Sequence, residues 1–178
     1  MANKLLISMI FVPLPVMAAG VSFDQTRVQD LKFGLVCGSD TDETIAAPDT
    51  ATGTVQVRQD WQKIVAETQT IPLVKGLALG VDMRPVAPRV LNNVRITVTH
   101  PPFIGSELTQ DSWTANMTPK GSNLNFFEFE HPYEFVEGTW TFEARKGFRT
   151  LYSVTFQVVD PALLPQLAGV CDGVSLTS

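Results

Sequence analysis

The stretch YEFVEGTWTFEARKGFRTLYSVTFQV, residues 133–158, decides the fold of this chain. In residues 139–145, aromatic or small apolar residues alternate with Thr, Glu and Arg, and in residues 154–158 Val or Phe alternates with Thr or Gln. Strict alternation with a period of two is typical of a β-strand with one buried and one wet face. Lys146-Gly147 lies between the two runs and is the expected turn. The stretch therefore predicts a β-hairpin, and its aromatic residue Trp140 is expected in the core.

The same alternation recurs along the rest of the chain. It predicts strands at residues 31–37, 55–57, 64–71, 77–83, 94–98, 126–130 and around Trp113. No segment of ten or more residues has helical periodicity, and only Asp160-Pro161 has the pattern of a helical start, which Pro165 is expected to cut short. Many short strands with turn signals about every ten residues predict an all-β, immunoglobulin-like antiparallel β-sandwich with little helix. A jelly roll or a small barrel is the alternative.

The first 18 residues are predicted to be a signal peptide. Lys4 gives a basic start, residues 5–12 form an apolar run, and Val16-Met17-Ala18 has the small-x-small pattern of a cleavage site. Cleavage after Ala18 leaves residues 19–178 as a single β-sandwich domain that is periplasmic or secreted. The run falls short of the roughly 20 apolar residues that a membrane span needs. The alternative is a cytosolic protein whose N-terminus is an apolar strand.

The charged residues and the cysteines narrow the class of protein further. The formal net charge is −5, and no run of Lys or Arg occurs, so nucleic acid binding is not expected. Cys37 and Cys171 lie near the two ends of the exported chain, and no CxxC motif is present. An even pair of cysteines in an exported protein predicts a structural disulfide.

The residues that catalysis needs are sparse. His100 and His131 are the two histidines, and no GxSxG motif occurs. His100 continues the inward-facing set of residues 94–98, so we expect it to point inward and hydrogen-bond a backbone carbonyl beside Pro101-Pro102. His131 is expected in a turn. No catalytic residue is therefore predicted, and a small periplasmic hydrolase using His100 or acidic residues is the alternative function.

No metal site or cofactor is predicted from the acidic residues. The acidic loop Asp40–Asp49 lacks the glycine and the distal glutamate of an EF-hand loop. Glu128 and Glu130 alternate with Phe127 and Phe129, which is the pattern of a wet strand face. Paired carboxylates can cleave glycosides, but sequence alone does not give their separation.

Three aromatic residues are candidates for binding. Trp61 lies in a polar stretch, Trp113 in an expected strand, and Phe103 in a long loop after Pro101-Pro102. Exposed aromatic side chains are favoured at carbohydrate and protein contacts. The alternative is that the tryptophans are core residues. The expected partner is another envelope protein, joined by strand addition, or a glycan held on these aromatic rings.

Several short motifs are similar to those of a known family. They are Gly34-Leu35-x-Cys37, residues 45–50 with Gly53, residues 98–102, residues 133–143 and residues 150–156. Together they resemble domain of unknown function family 3859, an uncharacterised family of exported bacterial proteins. The hairpin also resembles the last two strands of many bacterial immunoglobulin-like domains. The resemblance implies an immunoglobulin-like fold and export, and it implies no particular activity.

Overall fold

A computed structural model describes residues 20–38, 43–56 and 62–171. Within these residues the secondary structure is almost entirely β, with two short 3-10 turns at Pro132–Glu134 and Pro161–Leu163 and one short helix, α1, at Pro165–Ala168. The strands are β1 (Val21–Phe23), β2 (Val28–Cys37), β3 (Thr44–Ala46), β4 (Thr54–Gln56), β5 (Ile64–Ala66), β6 (Thr70–Pro72), β7 (Leu77–Pro85), β8 (Leu91–Thr99), β9 (Gln110–Met117), β10 (Leu124–Glu128), β11 (Gly138–Lys146) and β12 (Arg149–Val159). The predicted all-β class with little helix is confirmed.

Ten of these strands form two sheets. One sheet has the order β1-β12-β11-β8-β9, with β6 also paired to β12, and the other has the order β10-β7-β2-β5. Paired strands are antiparallel except β6 and β12, which are parallel. β7 lies in the four-stranded sheet, and the chain then crosses to the six-stranded sheet for β8 and β9. It returns to the four-stranded sheet for β10 and crosses again to the six-stranded sheet for β11 and β12. This Greek-key order is that of an immunoglobulin sandwich, and it confirms the predicted topology.

The core lies between the two sheets and follows the predicted alternation. Trp140, Phe142 and Ala144 of β11 are fully buried, and so are Val154 and Phe156 of β12. Residues of the facing sheet, such as Leu79 and Val81, complete the core. These side chains are buried because every second residue of each strand points to the same face of its sheet.

The predicted turn of the main hairpin is displaced by one residue. Lys146 pairs with Arg149, so the two turn residues are Gly147 and Phe148. Gly147 has a φ of 59°, which glycine adopts without strain at the first central position of a two-residue hairpin turn. A register shift after Ala144 lets both Leu151 and Tyr152 be buried.

The segment predicted as a single strand at residues 64–71 is in fact two strands in different sheets. β5 pairs with β2, and β6 pairs with β12. The chain turns between them because the Thr68 hydroxyl accepts a hydrogen bond from the Thr70 amide at 3.1 Å. The side-chain nitrogen Nε2 of Gln69 then donates to the Thr155 carbonyl at 2.7 Å. The short strand β1 was not predicted. Pro165 was expected to end a helical turn, but it is the first residue of α1.

Two of the glycines in the strands allow close backbone contact. Gly34 and Gly80 lie opposite each other on β2 and β7. A Cβ atom on Gly34 would lie 2.0 Å from the Ala66 carbonyl oxygen, and one on Gly80 would lie 2.9 Å from Val36. Gly80 therefore permits a close backbone approach, whereas Gly76 lies in a turn with a φ of 81°.

Cys37 and Cys171 form a disulfide, as predicted, with their Cα atoms 5.7 Å apart. Cys37 is the last residue of β2, and Cys171 follows α1. The bond therefore holds the C-terminal segment, residues 160–171, against the core. The predicted signal peptide lies outside the described residues.

Candidate functional site

A cavity of about 410 Å³ lies at one edge of the sandwich, and we call it the edge cavity. Its walls are β9 of one sheet, β10 of the other sheet, and the separate hairpin formed by β3 and β4. The residues whose chemistry matters most in its lining are Thr44, Thr54, Asp111, Trp113, Asn125 and Glu128. The lining therefore combines aromatic and aliphatic side chains, among them Val55, Leu124, Phe126 and Phe127, with hydroxyl, amide and carboxylate groups.

Trp113 is the central aromatic residue of the edge cavity. Its side chain is half-buried, and its indole N–H donates to Asn125 Oδ1 at 3.1 Å. The ring packs edge-on against Phe142, with centroids 6.2 Å apart. Trp113 also lines a second cavity, of about 270 Å³, on the other side of the hairpin. Its predicted role in binding stays a prediction, and its position at both cavities is compatible with it.

The β3–β4 hairpin is attached to β9 through its connecting loop. The Ser112 amide donates to the Asp49 carbonyl at 2.9 Å, and the Ala51 amide donates to Asp111 Oδ1 at 2.5 Å. Arg95 lies 3.2 Å from the Asp49 carboxylate and donates to the Ser112 hydroxyl at 2.6 Å. The loop is therefore fixed, while the strands of the hairpin extend over the cavity.

His100 lies behind the edge cavity and does not line it. Its side chain is fully buried; Nδ1 lies 2.7 Å from the Pro101 carbonyl oxygen, and Nε2 lies 3.1 Å from Asp111 Oδ2. A carbonyl oxygen can only accept, so Nδ1 carries a proton. The predicted inward orientation of His100 and its bond to a backbone carbonyl are confirmed.

The prediction that Phe103 offers an exposed contact is wrong. Its side chain is only 2% exposed, and its ring stacks on His100 with centroids 3.9 Å apart. The loop folds back on itself, because the Phe103 amide donates to the Leu108 carbonyl at 3.2 Å and the Ile104 amide donates to the Tyr133 carbonyl at 2.9 Å. This backbone path turns Phe103 inward and leaves the neighbouring Ile104 exposed.

The other predicted positions are distributed as follows. Trp61 lies outside the described residues, as do Asp40 and Asp42 of the acidic loop, whereas Asp49 of that loop is paired with Arg95. Glu128 and Glu130 line the edge cavity. Among the described residues, no group of three or more His, Cys, Asp or Glu side chains is arranged to hold a metal ion.

Glu134 is a buried carboxylate at the rim of the edge cavity. Its Oε2 atom accepts from the backbone amides of Glu130 and His131, both at 2.8 Å. Burial raises the pKa of Glu134, and the two backbone hydrogen bonds oppose that rise only in part. The side chain therefore fixes the turn between β10 and β11 while carrying a desolvation cost when ionised.

This raised pKa predicts how stability changes with pH. Folding favours the protonated form, so the contribution of Glu134 is fully present below its usual value of 4.5 and is lost as the pH rises through the raised pKa. The variant Glu134→Gln keeps an acceptor for both amides and has no charge to bury. We expect its stability relative to the natural protein to improve as the pH rises, in urea unfolding measured from pH 4 to pH 8.

The variant Glu134→Ala is the matched control, because it removes the acceptor altogether. It is expected to lose about 1–3 kcal/mol, since two backbone amides are left without a partner. A difference between Glu134→Gln and the natural protein that is constant over this pH range would contradict the interpretation.

The Greek-key topology defines this protein as an immunoglobulin-like β-sandwich. The chain belongs to the family described as Domain of unknown function (DUF3859), whose family model matches residues 24–158. The crystal structure of an immunoglobulin-like protein from Pseudomonas aeruginosa is similar, with 17% identity and a TM-score of 0.49 over 80% of this chain and 99% of the other. No curated protein matches the sequence.

One further finding bears on location. The Cys37–Cys171 disulfide is compatible with a periplasmic or extracellular protein. Within the described part of the chain, no helix is long and apolar enough to cross a membrane.

Sequence reasoning missed Asn125 and the β3–β4 hairpin as parts of the site. Asn125 is buried and fixes the Trp113 indole, and its own amide nitrogen donates to the Asn123 carbonyl at 3.0 Å. A polar residue between apolar neighbours, immediately before the strand expected at residues 126–130, was the available signal. The position of the hairpin could not be predicted from the sequence, because the residues of β9 that it contacts are far from it along the chain.

Proposed function

We propose that this protein is an exported, non-catalytic binding module that holds a glycan of the bacterial envelope in the edge cavity. The observation that carries the proposal is the half-buried ring of Trp113 in a cavity of about 410 Å³ whose lining also presents hydroxyl, amide and carboxylate groups. Cavities of a few hundred Å³ are of the size that binds small ligands. Export is supported by the predicted signal peptide at residues 1–18 and by the disulfide.

The chemistry of the lining is complementary to a sugar. A sugar ring has an apolar C–H face that packs on an aromatic ring, and hydroxyl groups at its edge that need donors and acceptors. Trp113 supplies the ring, Thr44 and Thr54 supply exposed hydroxyls, and Glu128 supplies carboxylate oxygens. Asp111 and Asn125 are already held by other hydrogen bonds, so they are oriented before a ligand arrives.

The hydrolase alternative has less support. His100 is sealed from the cavity, and both its ring nitrogens are engaged. Binding of an envelope protein by strand addition is also less supported at the free edge of β9, because the Asp49 carbonyl already accepts the Ser112 amide there.

The proposal can be tested on the exported protein with an immobilised panel of peptidoglycan disaccharides and lipopolysaccharide core oligosaccharides. We expect binding of at least one of these sugars, and we expect Trp113→Ala to weaken it by about tenfold or more. The double variant Thr44→Val/Thr54→Val changes only exposed hydroxyls and should also weaken it. Phe148→Ala, at the far end of the sandwich, is the control and should bind as the natural protein does.

Three outcomes would overturn the proposal. The first is that no sugar of the panel binds. The second is that Trp113→Ala and the threonine variant both bind a sugar with unchanged affinity. The third is cleavage of a bound sugar, which would show catalysis and favour the hydrolase alternative.

A further inference from the structure

One end of the sandwich is basic although the protein as a whole is acidic. Three segments meet there: residues 24–27, residues 86–90 and the β11–β12 turn. Arg89 donates to the Thr26 carbonyl at 3.2 Å, and the Val86 amide donates to the Arg27 carbonyl at 2.8 Å. Arg149 lies 3.4 Å from Asp24, which joins the turn to the first segment. We call this end the basic tip.

The basic tip has an excess of positive charge. Its cations are Arg27, Arg89, Arg145, Lys146 and Arg149. Only two carboxylates contact them in the described structure: Asp24 faces Arg27 and Arg149, and Glu143 faces Arg145 at 3.5 Å. The tip is therefore positive, against a formal net charge of −5 for the whole chain.

Phe148 lies at the outermost point of the basic tip. It is fully exposed, because the two-residue turn raises it above both strands. Val90, on the neighbouring loop, is 52% exposed. The turn is held by its own cations, since Arg145 donates to the Phe148 carbonyl at 3.3 Å and Lys146 donates to the Asn92 carbonyl. The apolar group is therefore presented in a fixed position.

We propose that the basic tip docks onto an anionic lipid surface, with Phe148 inserted at the boundary between head groups and acyl chains. Aromatic side chains are favoured at that boundary, and nearby Lys and Arg are attracted to anionic head groups. Phe148 is convex and isolated, which suits a deformable lipid layer better than the shaped pocket of a folded partner. The inference is independent of the sugar site.

Docking in this way would also orient the molecule. Glu130 and Glu134 lie at the opposite end of the sandwich. They follow Phe129, whose amide donates to the carbonyl of Leu77, the first residue of β7. Both glutamates line the edge cavity, so this part of the cavity would lie away from the lipid.

The test is co-sedimentation of the exported protein with vesicles. Vesicles of phosphatidylcholine with about a third phosphatidylglycerol should bind it at low salt, and vesicles of pure phosphatidylcholine should not. Binding to the anionic vesicles should fall steeply as salt is added. Phe148→Ser and the double variant Arg89→Gln/Lys146→Gln should each weaken binding by about tenfold.

Matched controls remove the same kinds of groups elsewhere. Ile104→Ser removes an exposed apolar side chain at the other end, and Lys63→Gln/Lys75→Gln removes two cations away from the tip. Both should bind as the natural protein does. No binding to anionic vesicles, or equal loss in tip and control variants, would overturn the proposal. The proposal would also be overturned if inorganic phosphate abolished vesicle binding and Phe148→Ser bound the vesicles normally. Those two results together would show that the tip recognises phosphate alone.

Discussion

Replacing Trp140 with alanine is expected to lower the free energy of unfolding by about 3–5 kcal/mol. The indole is fully buried and lies against the rings of His100, Phe127 and Phe129, with centroids 4.9, 5.1 and 5.5 Å from it. Its N–H donates to the Val136 carbonyl at 3.3 Å. Removing it leaves a cavity that rigid strands on both sides cannot fill, and it leaves that carbonyl without its partner.

Urea unfolding followed by circular dichroism measures this loss. Trp140→Phe keeps part of the packing and should lose less than the alanine variant. Phe148→Ala removes an aromatic side chain of similar kind from a fully exposed position, and it should change stability by no more than about 0.5 kcal/mol. A loss below about 1 kcal/mol for Trp140→Ala would mean that the indole is not in the core.

Removing the disulfide is expected to cost up to about 5 kcal/mol. The two cysteines are 134 residues apart in sequence, so the bond restricts the unfolded chain strongly. The bond also holds the segment with α1 against the core, where Val170 and Cys171 pack on apolar residues.

The comparison is between the oxidised protein, the reduced protein and the double variant Cys37→Ala/Cys171→Ala. The reduced protein and the double variant should unfold at similar, lower urea concentrations, and a reducing agent should not affect the double variant. Coincident unfolding curves for the oxidised and reduced proteins would contradict this expectation.

The sequence predicts the strands and their buried faces well, for a physical reason. Side chains of a strand alternate between two faces, so the burial of Trp140 and Phe142 and the inward orientation of His100 follow from parity alone. The disulfide also follows, because the chain has an even pair of cysteines, no CxxC motif and a predicted signal peptide. The split of residues 64–72 between two sheets does not follow, because it depends on partners far away in sequence.

The candidate site is much less predictable. Trp113 could be identified as a candidate from its residue type, but the edge cavity around it exists only because β9, β10 and the β3–β4 hairpin meet in space. Phe103 was predicted wrongly because the backbone bonds that turn its loop inward leave no local pattern. The basic tip was missed for a related reason: Arg145, Lys146 and Arg149 form only a short group around the hairpin turn, and it is the topology that brings Arg27 and Arg89 to them.

The Cys37–Cys171 bond also determines how the molecule responds to mechanical force. A pull applied at residues 20 and 171 passes along β1 and β2 to Cys37 and then crosses directly to Cys171. The sequence between the two cysteines lies outside this path. Tension can therefore lengthen the oxidised protein only by peeling β1 and β2 from their sheets, whereas the reduced protein can be drawn out along its whole sequence.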